Sequence, residues 1–291
     1  MNVDTELCDK IKNIANLPTL PQVASHLMRI IRDPETSSSD VAELVGQDLS
    51  LSAKVLRLAN SAFYGVPHSI TNINSAIVVL GFKVIHTMIL SLTVFDMFPE
   101  NRRKVELFDR RTFWMHSLSC GLAAKMLAFK IKKFTMFDPD EAFCAGLLHD
   151  IGKVVMEQYL HKDFHLALKT AHKENIPVYD AEKTVLGYTH TEIADVLISG
   201  WGLPLEIHLP ITNHHNPQEI NDHKDIVMLC NMADWICYKS GKIIDARFQR
   251  SEPDRECLNQ LRINETDIQE VIERLPTELE NSAVYIDLAV R

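Results

Sequence analysis

"AFCAGLLHDIGK", residues 142–153, runs from an apolar segment into a histidine, an aspartate and, one turn on, a lysine. Ala142, Phe143, Ala145, Leu147 and Leu148 read as a buried helix that carries His149, Asp150 and Lys153 with it. A charged carboxylate buried there without a partner costs several kcal/mol or more. A metal ion is the obvious compensation, so further ligands are expected elsewhere in the chain.

Outward from this stretch, helical periodicity dominates and alternating strand patterns are nearly absent. "LPTLPQVASHLMRIIRD" places Pro21 at a first helical position, followed by Val23, Leu27, Ile30 and Ile31. "SSSDVAELVGQDLSLSAKVLRLANSAFYG" predicts two short helices, the first capped by a serine and the second beginning near Ser50. "ITNINSAIVVLGFKVIHTMILSLTVFDMF" predicts two more, broken at Gly81. The charged stretch "MFPENRRKVELFDR" marks a domain join, and helices follow over roughly 109–131, 139–159, 162–175, 179–186, 190–200, 204–214 and 223–240. In "INETDIQEVIERL", Asn264 is a helix cap followed by acidic residues in the first turn. The expectation is an all-α chain with an N-terminal helical subdomain over 1–96, a second helical subdomain over 97–250 and an acidic helical extension over 251–291 that packs back on the body.

Composition narrows the function classes. The 291 residues are 46% hydrophobic and 24% charged, an ordinary globular balance. No apolar run approaches the ~20 residues that span a bilayer. The polar, acidic start is unlike a secretory signal, and a cytoplasmic location is expected. Cys8, Cys120, Cys144, Cys230, Cys237 and Cys257 form no CxxC pair and read as reduced core residues. The net charge of −9 argues against general nucleic-acid binding. Ten acidic against four basic residues put −6 of it in the final 41 residues. Two local basic groups, Arg102, Arg103, Lys104, Arg110 and Arg111, then Lys125, Lys130, Lys132 and Lys133, read as solvated helix faces.

Of thirteen histidines, His161, His165 and His172 lie in a Lys-rich helix and read as surface residues. His26, His68, His86, His208 and His223 have no neighbouring chemistry. The others form an ordered set. His116 sits among bulky apolar residues, His190 at a helix start, and His214 and His215 are consecutive in "ITNHHNP". Asp234 interrupts the apolar helix "MLCNMADWICY". Imidazoles and carboxylates spread over several helices are how helical bundles build interior metal sites. Nitrogen and oxygen donors without thiolate suit iron, manganese or zinc.

The order His116, His149–Asp150, His190, His214/His215, Asp234 resembles that of the HD superfamily of metal-dependent phosphohydrolases. The N-terminal segments quoted above, with "SITNINSAIVVLGF", "GLLHDIGK" and "GYTHTEIADVLISGWGLP", are similar to the HDOD family, the HD-related output domain of bacterial signalling, over roughly residues 12–240. The resemblance implies a regulatory module that acts through protein partners and keeps a centre of one or two divalent transition ions. Its ligands would be His116, His149, Asp150, His190, Asp234 and one or both of His214 and His215, with Asp150 as the bridge if two ions bind. Lys153 would hold a phosphate or support a ligand. The alternative it implies is an active phosphohydrolase or phosphodiesterase on a phosphate ester or nucleotide, with Asp150 and Lys153 as catalytic groups. No GYP block of the cyclic-dinucleotide phosphodiesterases follows the paired histidines.

Overall fold

Five helices come first among the described residues of the computed structural model, which are 18–30, 33, 35–99, 107–131, 135, 137–241 and 254–290. They are α1 (Gln22–Ile30), α2 (Ser38–Gly46), α3 (Leu49–Ala59), α4 (Ile73–Leu80) and α5 (Phe82–Met97). Their starts follow local chemistry. Ser37 and Asp40 cap each other's backbone groups at α2, Asp48 accepts from the Leu51 amide at α3, and Asn72 accepts from the Ser75 amide at α4. Gly81, at φ 90°, makes the break between α4 and α5. The inward faces are mostly hydrocarbon: Leu27, Val41, Val45, Val55, Leu58, Ile85 and Ile89 are buried, and α5 also buries His86, Thr87, Ser91 and Thr93.

The second set comprises α6 (Arg110–Ile131), α7 (Pro139–Leu148), α8 (Ile151–Tyr159), α9 (His161–Glu174), α10 (Val178–Leu186), α11 (His190–Ile198), α12 (Leu205–Asn213) and α13 (Lys224–Lys239). The chain is all-α, with no β-strand among the described residues. None of the described helices is long and apolar enough to cross a membrane.

The extension forms α14 (Arg255–Leu261), α15 (Glu265–Asn281) and α16 (Ala283–Ala289), with Asn264 capping α15 as expected. It packs back on the body. Lys130 on α6 reaches Glu270 at 2.6 Å and Asp267 at 3.3 Å, while Tyr285 on α16 shares a 2.7 Å hydrogen bond with Tyr64. Most buried apolar residues from α1 to α16 belong to one continuous hydrophobic cluster, and Ala171 and Ala181 form a small second one.

The basic groups are not uniformly solvated faces. Arg110 is buried, paired with Glu157 of α8, and donates to the carbonyls of Phe98 and Pro99 at 2.9 and 3.0 Å. Lys125 is bound to Asp140 at 2.6 Å. Arg102, Arg103, Lys104, Lys132, Lys133 and Cys8, and residues 100–106 of the expected domain join, lie outside the described residues. The other five cysteines are free and buried.

Candidate metal centre

The expected helix over 139–159 is two helices. Helix α7 starts at an Asp138–Glu141 capping box with Pro139 in its first turn, and ends at Leu148. Asp150 leaves the helical path (φ −99°, ψ 12°), and its carbonyl accepts from the Lys153 amide at 2.9 Å to start α8. His149 and Asp150 therefore occupy a corner, and their side chains point into the space enclosed by α6, α11 and α13 rather than along one helix face.

Glycines let these backbones touch. A Cβ on Gly146 would lie 2.7 Å from the Cys120 carbonyl oxygen, so α7 crosses α6 without side chains between them. A Cβ on Gly152 would lie 1.9 Å from the His190 carbonyl oxygen, which leaves only glycine room where α8 meets the start of α11. The first contact sets His116 of α6 beside His149. The second sets His190 beside Asp150.

Asp150 is the centre of the arrangement. Its Oδ2 lies 3.3 Å from His149 Nε2 and 3.8 Å from His116 Nε2; its Oδ1 lies 3.1 Å from His190 Nε2 and 3.6 Å from His214 Nε2. Asp234 closes one side, with Oδ1 3.2 Å from His116 Nε2 and 3.8 Å from His149 Nε2. His215 closes the other, its Nε2 3.2 Å from that of His190. Lys153 Nζ rests on Asp150 Oδ2 at 2.5 Å. Potential donors fall into two adjoining groups: His116, Cys120, His149 and Asp234, then Asp150, His190, His214 and His215.

The imidazoles are oriented from behind. His149 Nδ1 donates to the Gly146 carbonyl at 2.8 Å, and His214 Nδ1 to the Pro210 carbonyl at 3.0 Å. His190 Nδ1 donates to Glu182 Oε2 at 2.7 Å, and the His190 amide donates to the same oxygen at 2.9 Å. Fixing the proton on Nδ1 turns the Nε2 lone pair inward, the arrangement that metal-binding histidines use. The Nε2 atoms of His149 and His214 are buried and have no hydrogen-bond partner.

Electrostatics divide the site. Burial would raise the Asp150 carboxyl, but the charges of His149 and Lys153 hold it well below the usual carboxylate range. Burial disfavours charge on His149 and His190, yet Asp150 and Glu182 outweigh it and raise both imidazoles. Burial pushes His214 down to about 4 and His215 well below its ordinary value. Metal-free, the centre thus favours protons on His149 and His190 and neutral rings on His214 and His215.

A cleft of about 140 Å³ reaches the centre through His215 and Asp234, with Tyr179, Trp235, Tyr238, Asn216 and Asn231 among its walls. Asp234 is consequently not enclosed in an apolar helix, since 17% of its side chain is exposed.

All of the residues expected from the sequence converge: His116, His149, Asp150, Lys153, His190, His214, His215 and Asp234. His161, His165, His172, His208, His223, His26, His68 and His86 belong to neither donor group. His208 instead binds Asp195 at 2.8 Å. Cys120, outside the donor set expected from the sequence, also lies at the first group, its Sγ 3.5 Å from His116 Nε2 and 3.7 Å from His116 Nδ1. Its place one helical turn after His116 was a usable signal. Glu182 was not foreseeable, because nothing distinguishes it from Asp180 or Lys183 in a polar segment.

Comparison with known proteins bears on the family and the fold. The family model of the HDOD domain matches residues 17–217. The crystal structure of an HDOD domain protein of unknown function from Geobacter sulfurreducens superposes with a TM-score of 0.72 at 26% identity, covering 98% of this chain and 97% of that one. A protein from Marinobacter aquaeolei, described provisionally as a signal transduction protein, gives a TM-score of 0.81 at 22% identity over 98% of this chain and 65% of its own. An uncharacterized protein of Treponema pallidum is 26% identical over 224 residues, 76% of this chain. The chain spans 42% of the length of that curated relative.

Proposed function

The chain belongs to the HDOD family, and from that premise we propose that it is a cytoplasmic signal-transduction module whose conformation depends on a His/Asp metal centre. The observation that supports this most is the common direction of the donors. Three imidazoles are tied at Nδ1 to acceptors behind them, and their Nε2 atoms turn toward Asp150. His116, His149 and Asp234 would hold one divalent transition ion, and His190, His214 and His215 a second. Asp150 lies between, with one oxygen toward each. Nitrogen and carboxylate donors suit iron or manganese. The partners of such a module are signalling proteins, for which Leu49 and Val78, 82% and 72% exposed on α3 and α4, offer apolar contacts.

Metal analysis of the chain purified without chelator, followed by hydrogen exchange of loaded and stripped protein, tests this reading. The expected result is bound transition metal and protection that changes in α8 and at the end of α5. Trace metal, or exchange identical in both states, would refute it.

One observation favours a second reading, a metal-dependent phosphohydrolase: the cleft gives a ligand access to Asp234 and His215. A divalent ion, when bound, supplies a water of lowered pKa and offsets negative charge at phosphorus. Asp150 would hold its position, and the Lys153 ammonium would face the phosphate oxygens. The described residues lining the cleft include no Lys or Arg, which is why the regulatory reading stands first. Turnover of bis(p-nitrophenyl) phosphate with manganese or iron, lost in both His149→Ala and Asp150→Ala, would reverse that order.

A further inference from the structure

Glu182 on α10 is fully buried, and its two oxygens are used unequally. Oε2 accepts from the His190 amide at 2.9 Å and from His190 Nδ1 at 2.7 Å, whereas Oε1 is buried with no hydrogen-bond partner. A buried acceptor left unmade is unfavourable. The carboxylate therefore has room for one more donor.

The nearest mobile cation sits across the same ring. Asp150 Oδ1 lies 3.1 Å from His190 Nε2, so Glu182 and Asp150 flank one imidazole. Lys153 Nζ rests on Asp150 Oδ2 at 2.5 Å, and Gly152, the residue before it, packs against the His190 backbone. Burial works against charge on Lys153, but Asp150, Glu182 and Asp234 outweigh it and keep the ammonium protonated. Its four-carbon stem is flexible.

Metal would change both environments. Asp150 turns Oδ2 toward His116 and His149 and Oδ1 toward His190 and His214, one oxygen for each site. With an ion at Oδ2, the Lys153 ammonium stands beside a divalent cation where water screens little, and the two repel. His190 must offer a neutral Nε2 to the other ion, so Glu182 no longer faces a positive ring. Loading thus separates a cation from its carboxylate and a carboxylate from its cation, side by side.

We propose that Lys153 is a counter-ion switch: it neutralises Asp150 in the metal-free centre and moves to Glu182 Oε1 when ions take the Asp150 oxygens. Metal occupancy then makes a contact between α8 and α10 that the metal-free chain lacks. Lys153 is a positioning residue that competes with metal, not a ligand. This inference rests on the metal-centre reading above, and the test separates the two.

The full chain, stripped of metal, is titrated with zinc against a chromophoric chelator. Lys153→Met removes the competing ammonium and should bind zinc about tenfold more tightly; a lysine that merely supports Asp150 predicts no gain. Glu182→Gln should lose at least about threefold less affinity in the Lys153→Met background than alone, because only its hold on His190 is left to lose. Unchanged or weaker binding in Lys153→Met, or an equal Glu182→Gln loss in both backgrounds, overturns the switch. Crystal structures of the unsubstituted chain with and without zinc decide the matter independently of how the variants fold. Nζ within hydrogen-bond distance of Glu182 Oε1 in the loaded chain supports the inference. Nζ still on Asp150, or turned to solvent, refutes it and leaves the metal centre standing. Zinc binds nitrogen and oxygen sites more tightly than iron or manganese, so no zinc binding overturns both.

Discussion

Helix α3 turns Leu51, Val55, Leu58 and Ala59 inward, all hydrocarbon, whereas α8, of similar length, begins at Asp150 and buries Glu157 beside Val154 and Val155. Helices α1, α2 and α4 likewise bury only apolar residues, and α5 adds His86, Thr87, Ser91 and Thr93 but no carboxylate. Helices α6 to α11 bury His116, His149, Asp150, Glu182 and His190, groups whose burial is unfavourable until each finds a partner. Apolar burial stabilises whatever the solution contains. Burial of acids and imidazoles makes stability conditional on protons and, on the proposed reading, on an ion. On that reading the N-terminal helices would be a fixed platform and the second set the part that responds.

Four measurements would break or sharpen that contrast. Leu58→Ala, in the fully buried platform, should cost about 2–5 kcal/mol, and its melting temperature should fall by the same amount with and without chelator. A chelator-dependent difference would show that the platform is not independent of the centre. Stripping the metal should itself lower the melting temperature, by about 2.7 kcal/mol of stability when the ion had been present at a hundred times its Kd. Asp150→Asn should abolish that response, and an unchanged melting curve in the unsubstituted chain would deny the centre its role in stability. Glu182→Gln removes the carboxylate behind His190 and should weaken metal binding about 10–100-fold. Competition against a chromophoric chelator measures this, and an unaltered affinity would make Glu182 a packing residue only.

The smallest effect concerns pH. The raised imidazoles of His149 and His190 contribute stability to the metal-free fold that is complete below the ordinary histidine value of about 6.5 and is lost as pH rises through their folded values. His214, at about 4, does the opposite: its contribution is present above the ordinary histidine value and fades as pH falls toward 4. Ligands must be deprotonated to bind metal, so loading near neutrality should release protons from the first pair, and affinity should rise with pH. Calorimetry in two buffers of different ionisation enthalpy reads the release. Equal heats in both would contradict it.

Much of this was legible from residue patterns. Ser37, Gly81 and Asn264 each marked a helix boundary through local chemistry, and the histidines and acids declared themselves by sitting in apolar surroundings. The corner at His149–Asp150 was hidden because the apolar run continues across it without a proline, and the turn there is imposed by packing of Gly152 against His190. Glu182 was hidden for another reason. It meets its partner His190 eight residues away, and composition does not report such a meeting. Asp234 stood out as a carboxylate in oil, but its opening to the cleft depends on how α13 lies beside Tyr179 and His215.

The guanidinium of Arg110 joins three pieces of backbone that are far apart in sequence: the end of α5 through Phe98 and Pro99, the start of α6, and α8 through Glu157. Breaking a buried pair of this kind costs about 3–5 kcal/mol, because a lone charge is left in hydrocarbon. Lys153, bound to Asp150, and Glu157, bound to Arg110, are one turn apart on the same side of α8. The helix is thus a short rod gripped at both ends. On the proposed reading, a shift at its first turn would be carried to the residues that close α5, Phe98 and Pro99, and would stop at that edge of the platform.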